Sequence, residues 1–324
     1  MQNLVTVFGG SGFIGTHAVR QLAKAGWRIR VAVRNPNLGY RMRLLGDVGQ
    51  IDVVQANVRN EASIRRALEG ATASVNLVGV LYEGGRQRFQ SVHVEGARAV
   101  AEAARDLGVT RVVQMSALGA DAASASKYAR SKAEGEQTVQ AVYPDAVIVR
   151  PSFVFGPEDQ FFNKFAFMAA FSPVLPLMGG GRTRMQPVFV GDVGKALARL
   201  VTLPDAAGTY ELGGPATITF REMLEMTLAE TGRRRLLLPL PWPAAEMLGT
   251  LGDLAAMVLP PPITTDQVRM LRADNVVSGA YPGLEDLGIT PTSLESVLPS
   301  YLYRYRRGGQ YADQEARALA GGVR

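Results

Sequence analysis

Short β-branched runs alternate with longer amphipathic stretches through the first half of the chain. The runs at 4–8, 28–33, 51–55, 73–79, 111–115 and 146–150 read as buried strands, and the stretches at 13–25, 61–69, 89–107 and 127–142 read as helices. Strict strand-helix alternation is the pattern of a parallel sheet covered by crossover helices. Gly26 and Gly108 stand where the first and fourth helices have to stop, as residues that accept a left-handed conformation do. The predicted fold class is therefore α/β, a Rossmann-type doubly wound parallel sheet.

After Arg150-Pro151 the rhythm breaks. Phe, Met, Pro and Gly dominate 153–181, and a strand-plus-helix pattern returns at Val188 to Val201. This reads as a sheet domain made of 1–151 and 185–206, with a smaller, discontinuous C-terminal domain made of 152–184 and 207–307. The small and polar residues of 308–324 read as a flexible tail.

The first strand runs straight into Gly9-Gly10-Ser11-Gly12-Phe13-Ile14-Gly15. In a G-x-x-G-x-x-G between a strand and a helix, Gly9 permits the tight turn, Gly12 lets backbone approach a pyrophosphate, and Gly15 lets the helix pack on the sheet. Backbone N–H groups over Ser11, Phe13 and Ile14 then face a phosphate at the helix N-terminus. The partner this predicts is a nicotinamide dinucleotide. An Asp or Glu ending the second strand would select NAD(H), the alternative here, but Arg30-Val31-Ala32-Val33-Arg34-Asn35 contains no acid. Arg34 points to NADP(H), because a guanidinium matches a phosphate, unless it is simply a solvated strand end. Asn57 and Val58 after the third strand, Val78 and Gly79 at the end of the fourth, and Pro151 at the end of the sixth complete the candidate cofactor set.

Tyr128 and Lys132 stand four residues apart, on one face of a helix. Beside a nicotinamide, such a cation lowers the phenol's pKa, so that Tyr128 exchanges a proton with a carbonyl or alcohol. Ser116, at the end of the fifth strand, would hold the substrate oxygen, with Ser124 and Ser126 as alternatives.

Composition removes competing chemistries. With no Cys among 324 residues, disulfides, thiolate metal sites and cysteine nucleophiles are excluded, and His17 and His93, the only histidines, cannot build a multi-histidine metal site. No metal is expected; the two histidines read as packing or hydrogen-bonding groups. The net charge of +6 rests on 30 Arg and 5 Lys, a skew that composition bias can produce, so no nucleic-acid partner is expected. The uncharged stretch between Lys164 and Arg182 contains Pro173, Pro176 and three glycines, and falls short of the ~20 apolar residues of a spanning helix. A strand beginning at Leu4 leaves little room for a leader. The expected location is cytoplasmic, with a peripheral position on the inner face of the cytoplasmic membrane as its refinement.

Together the glycine turn, Ser116, Tyr128 to Lys132 and Arg150-Pro151-Ser152-Phe153-Val154-Phe155-Gly156-Pro157 resemble the short-chain dehydrogenase/reductase superfamily, in its extended or atypical branch, over roughly 1–305. Tyr128 to Glu136, Gly156 to Asn163 and Pro282 to Gly288 are similar to the nucleotide-binding accessory subunits of respiratory complex I (NADH:ubiquinone oxidoreductase) and their bacterial relatives. That resemblance implies a tightly held NADPH with a stabilising role. Gly9, Gly12 and Gly15 would face its pyrophosphate, Arg34 its adenosine phosphate, and Tyr128 and Lys132 its nicotinamide ribose. The implied partners are complex I subunits and a membrane surface. The full Ser116, Tyr128 and Lys132 set leaves open an active NADP(H)-dependent oxidoreductase or epimerase on a lipophilic carbonyl or a sugar derivative.

Phe153, Phe155, Phe161, Phe162, Phe165, Phe167, Met168 and Phe171 suit either an aromatic core or a lipophilic ligand. The stretch from Ala244 to Leu259 keeps Glu246, Thr250 and Asp253 on a narrow stripe beside a broad apolar arc of Met247, Leu248, Leu251, Leu254 and Val258. Burial of that arc is the default, and a membrane or partner contact, near Arg233-Arg234-Arg235, is the alternative. Tyr301, Tyr303 and Tyr305 with Arg304, Arg306 and Arg307 suit a solvated helix end or a headgroup layer.

Overall fold

The structure, a computed structural model, describes residues 3–256 and 263–311. Val258 and Leu259 of the apolar stretch, and 312–324 of the expected tail, lie outside the described residues.

Along the first half run β1 (Leu4–Phe8), α1 (Phe13–Lys24), β2 (Arg28–Val33), a short α2 (Pro36–Gly39), β3 (Ile51–Gln55), α3 (Glu61–Leu68), β4 (Ala73–Asn76), α4 (Glu95–Asp106), β5 (Arg111–Met115), α5 (Lys127–Val142) and β6 (Val147–Pro151). The second half holds β7 (Val154–Phe155), α6 (Phe162–Phe171), β8 (Val174–Met178), β9 (Arg184–Met185), β10 (Val188–Phe189), α7 (Val190–Thr202), β11 (Gly208–Leu212), β12 (Ile218–Thr219), α8 (Phe220–Glu230), β13 (Leu236–Leu240), α9 (Trp242–Ala255) and α10 (Thr265–Met270).

Seven strands form one parallel sheet in the order β3-β2-β1-β4-β5-β6-β11, so the strand order reverses between β1 and β4. That switch point is where open α/β sheets bind ligands. Alternation along the strands divides the core. Val5, Val7, Val147 and Val149 pack with α1 and α7, while Phe8 and Ile148 pack on the opposite side with Ile64, Leu68 and Val100. Gly26 (φ +80°) and Gly108 (φ +69°) do end α1 and α4, in the left-handed conformation.

Three details depart from the sequence reading. The fourth strand stops at Asn76, because the Asn76 side chain turns back to accept the Val78 N–H (3.2 Å). The stretch 89–107 opens with a π-helical turn, Gln90–Val94, before α4. Gly208–Leu212, assigned from the pattern to the smaller domain, is instead the outermost strand of the main sheet, in register with β6. Leu284 and Leu287 also join the core on the α1 side.

A second core gathers Phe155, Phe162, Phe165, Leu175, Leu177, Phe220, Leu224, Leu298 and Tyr301. Here most of the aromatic run 153–171 is core; only Phe167 and Phe171 stand exposed. Asp159 ties this unit together. Its carboxylate accepts the N–H groups of Phe161 (2.9 Å) and Phe162 (2.7 Å) and the Tyr301 hydroxyl (2.5 Å). Tyr301 is therefore an internal strut, which removes it from any headgroup layer; Arg306 pairs with Glu230 (3.2 Å), and Tyr303, Arg304 and Arg307 are exposed.

α9 reverses its expected orientation. Its buried side is Ala245, Gly249 and Gly252, while Met247, Leu248, Leu251 and Leu254 face outward. The polar stripe stays at the solvent edge beside α10, where Asp253 accepts the Thr265 N–H (3.3 Å), Thr250 lies 3.4 Å from the Thr265 hydroxyl, and Glu246 pairs with Arg272 (2.9 Å). A Cβ on Gly249 would sit 2.7 Å from the Thr265 backbone, so only a small-residue face lets α9 approach α10 this closely.

Candidate cofactor site

The turn after β1 is built by glycines with separate duties. Gly9 adopts φ +77° and its N–H donates to the Ala32 carbonyl (3.0 Å), tying the turn to β2. At Gly15 a Cβ would lie 2.4 Å from the Gly9 carbonyl oxygen and 2.7 Å from the Gly10 backbone, so α1 can cross the turn only without a side chain. Gly12 is the N-cap of α1 and supplies no side-chain cap. A Cβ there would meet only the Gly9 carbonyl oxygen, at 3.3 Å, and Gly12 itself is exposed. Uncapped N–H groups at a helix start with open space beside them fit a phosphate.

Arg34 ends β2 exposed, and no hydrogen bond or ion pair holds it among the described residues. Arg41 was not singled out from the sequence. It lies in a 3-10 turn (Tyr40–Leu45) anchored by buried Met42, and its guanidinium donates to the Ser11 carbonyl (3.3 Å), placing a second cation at the glycine turn. No spacing rule announces it, because the turn that delivers it follows a four-residue helix, α2, too short to carry a period. Asn57 and Val58 follow β3: the Asn57 side chain accepts the Arg59 N–H (3.1 Å), and Val58 is buried against Gly96.

Val78, Gly79, His93, Tyr128 and Lys132 come together at the C-terminal ends of β4 and β5. Val78 borders Gly9, and a Cβ on Gly79 would fall 3.3 Å from Lys132 Nζ and 3.4 Å from His93 Nε2. Lys132 Nζ also reaches the carbonyl of Met115 (3.5 Å), the residue before Ser116. Burial pushes Lys132 down to about 8, against the pull of Glu136. His93 accepts the Val80 N–H (3.0 Å) at Nε2 and pairs at Nδ1 with the Ser131 hydroxyl (2.9 Å), which itself donates to the Tyr128 carbonyl (2.7 Å). Burial first and the Lys132 charge second push His93 down to about 2, so this pivot stays neutral. His93, expected only to pack or hydrogen-bond locally, thereby ties the 77–80 turn to α5.

The Tyr128 phenol departs from expectation. Lys132 Nζ lies over its ring, 5.7 Å from the centroid, and the phenol is pushed up to about 12 by burial rather than down by the cation. Ser116 is buried and its hydroxyl has no hydrogen-bond partner, one of two such hydroxyls among the described residues; the other, Ser74, lies within β4. Ser126 donates to Asp266 (2.8 Å) and Ser124 Oγ accepts the Ser126 N–H (3.2 Å), so both alternatives to Ser116 are already engaged. A buried hydroxyl left unpaired costs about 1–3 kcal/mol, and a bound oxygen would relieve it. Pro151 is buried at the end of β6, its carbonyl accepting the Leu118 N–H (3.0 Å). The glycine turn, the cations Arg34 and Arg41 near it and the orphaned hydroxyl together fit a nicotinamide dinucleotide. The chemistry such a group would bring to the site is hydride transfer at its nicotinamide ring.

Comparison with known proteins agrees with this geometry. Residues 5–213 match the model of the NAD dependent epimerase/dehydratase family. The chain is 36% identical over 305 residues to the NADH dehydrogenase [ubiquinone] 1 alpha subcomplex subunit 9 of Rattus norvegicus mitochondria, covering 94% of this chain and 80% of that one. It is 34% identical over 254 residues to the ceramide reductase of Caulobacter vibrioides, covering 78% of each. Its fold matches that of an NADPH-dependent quinone oxidoreductase from Escherichia coli, solved with NADPH, with a TM-score of 0.72 at 20% identity over 92% of this chain and 98% of that one. An NAD(P)-binding Rossmann fold, the glycine turn at its switch point and homology to the respiratory subunit over nearly all its length place the chain in the NAD dependent epimerase/dehydratase family.

Proposed function

We propose that the protein holds NADP(H) as a resident, stabilising cofactor and serves as an accessory component of respiratory complex I or of quinone metabolism at the membrane. The observation that carries this reading is the Tyr128–Lys132 geometry. A phenol near 12 with the ammonium over its ring, not at its oxygen, is a poor proton exchanger at neutral pH but a good pair of hydrogen-bond groups for a ribose. Similarity to the mitochondrial subunit over 94% of the chain supports the same reading. In it Gly9, Gly12 and Gly15 shape the pyrophosphate cradle, and Arg34 and Arg41 take the adenosine phosphate. Asn57, Val58 and Val78 border the adenosine half, and Gly79, Tyr128, Lys132 and Pro151 the nicotinamide half.

No described helix is long and apolar enough to cross a membrane. The outward arc of α9 is exposed, as are Leu236 and Leu238 on β13 and Phe167 and Phe171 on α6. Arg235 donates to the Ala169 carbonyl between the two phenylalanines (2.8 Å), and Arg234 is exposed beside it. Apolar side chains rimmed by arginine fit an anionic membrane surface, and we place that surface at the inner face of the cytoplasmic membrane. Sedimentation with anionic vesicles, lost on exchanging Leu251 and Leu254 for Ser, would support it; capture of the respiratory enzyme without lipid would favour a protein partner.

A second reading is favoured by the orphaned Ser116 hydroxyl. In an active reductase or epimerase on a lipophilic carbonyl or sugar derivative, Ser116 would hold the substrate oxygen and Tyr128 would exchange its proton. Similarity to a ceramide reductase supports it.

One experiment separates the two. The protein is purified without added nucleotide, the released nucleotide is identified, and the holoprotein is mixed with oxidised quinones. Stoichiometric NADPH that no acceptor oxidises supports the resident role; rapid oxidation, lost in Tyr128→Phe, overturns it in favour of the enzyme.

A further inference from the structure

Asp266 lies far from the glycine turn in sequence and belongs to α10 of the smaller unit, yet its carboxylate sits on the first turn of the Tyr128 helix. Oδ1 accepts the Lys127 N–H (2.7 Å), and Oδ2 accepts both the Tyr128 N–H (3.0 Å) and the Ser126 hydroxyl (2.8 Å). Ser126 is at the same time the N-cap of α5, accepting the Ala129 N–H (3.2 Å). One distant carboxylate thus collects two N–H groups that the helix itself cannot satisfy and fixes the hydroxyl that caps a third. Negative charge at a helix N-terminus is favourable besides.

Asp266 is itself firmly held. Thr264 and Gln267 form a capping box around it (3.2 Å and 3.1 Å), and α10 rests on the glycine face of α9 at Gly249. Tyr128 is therefore fixed from three sides. Ser131, itself bonded to His93, holds its carbonyl, its ring packs edge-on to His93 and Phe89, and Asp266 holds its N–H.

We propose that Asp266 is a positioning residue for Tyr128, the point at which the smaller unit sets the start of the helix that presents Tyr128 and Lys132 to the nicotinamide half of the cofactor. The proposal rests on the reading of that pair given above. Asn at this position keeps the size but removes the charge and turns one acceptor into a donor facing an N–H.

The test titrates the full chain with NADPH and with its adenosine half, 2′,5′-ADP, which the glycine turn and the arginines hold without Tyr128. D266N is expected to weaken NADPH about tenfold and 2′,5′-ADP less than about twofold, because only the nicotinamide half loses its preorganised partner. D266E, which restores a carboxylate, recovers most of the loss. Equal weakening of both ligands, or no change in either, overturns the proposal. Wild-type protein that binds NADPH no tighter than 2′,5′-ADP overturns instead the reading of the pair on which it rests. Should D266N fail to fold, S126A, which removes one of the three donors, carries the same comparison with the same two ligands.

Discussion

The main sheet and α9 use the same alphabet of apolar residues in opposite senses. In the sheet unit an apolar residue at the right period is inside: Leu22 on α1 and Val149 on β6 are fully buried. On α9 only the small residues go inside, the polar stripe lies at the edge against α10, and the leucines are left in solvent. The difference teaches that periodicity locates a stripe but not its partner. α1 is drawn to the sheet by apolar area, whereas α9 is drawn to α10 by close backbone approach at Gly249 and by the Asp253 and Glu246 pairings. An outer arc that none of the described residues covers is then available to something else.

Denaturation of the nucleotide-free protein can break that contrast. Leu22→Ala removes a fully buried side chain from the α1 face and should cost about 2–5 kcal/mol. Next in size is a buried charge. Lys132 is pushed down to about 8 from 10.5, so the folded chain sheds a proton that the unfolded chain keeps, and stability falls as pH drops through that window. Lys132→Met should therefore raise stability at pH 7 by about 3 kcal/mol, a gain that vanishes near pH 10.5, while weakening NADPH. Stability measured with and without NADPH across this range checks both halves.

His93 gives a smaller, graded effect at acid pH. Its folded value of about 2 lies below the unfolded 6.5, so its neutral form favours folding above pH 6.5 and that contribution is lost as pH falls. Stability should drop by about 1.4 kcal/mol per pH unit below 6.5 from this group, and His93→Gln should flatten the slope. A wild-type profile without that slope would show His93 to be hydrated. Smallest is Leu251→Ala on the outer arc, expected within about 0.5 kcal/mol of wild type. A loss as large as that at Leu22 would mean the arc is covered after all.

Much was legible in advance. The β-branched runs and the helix-ending glycines set out the sheet because each is a local requirement, met by residues a few positions apart. The glycine turn and the Tyr128–Lys132 pair were legible for the same reason: spacing within one turn or one helix fixes geometry. Arg41, His93 and Asp266 were not, since each acts across the fold on a residue many positions away. The seventh strand was missed because a five-residue run carries no sign of which unit will pair with it.

The sequence by itself determined the parallel α/β unit, the phosphate-binding turn, the absence of an acid at the end of β2 and the presence of the Ser116, Tyr128 and Lys132 set. Tertiary structure alone decided which serine is left unpaired, which way α9 faces and what burial does to Tyr128 and Lys132. Local spacing is written in covalent neighbours and helical or strand period. Desolvation, tertiary capping and helix orientation depend on what distant segments bring against a residue, and those contacts exist only once the chain has folded.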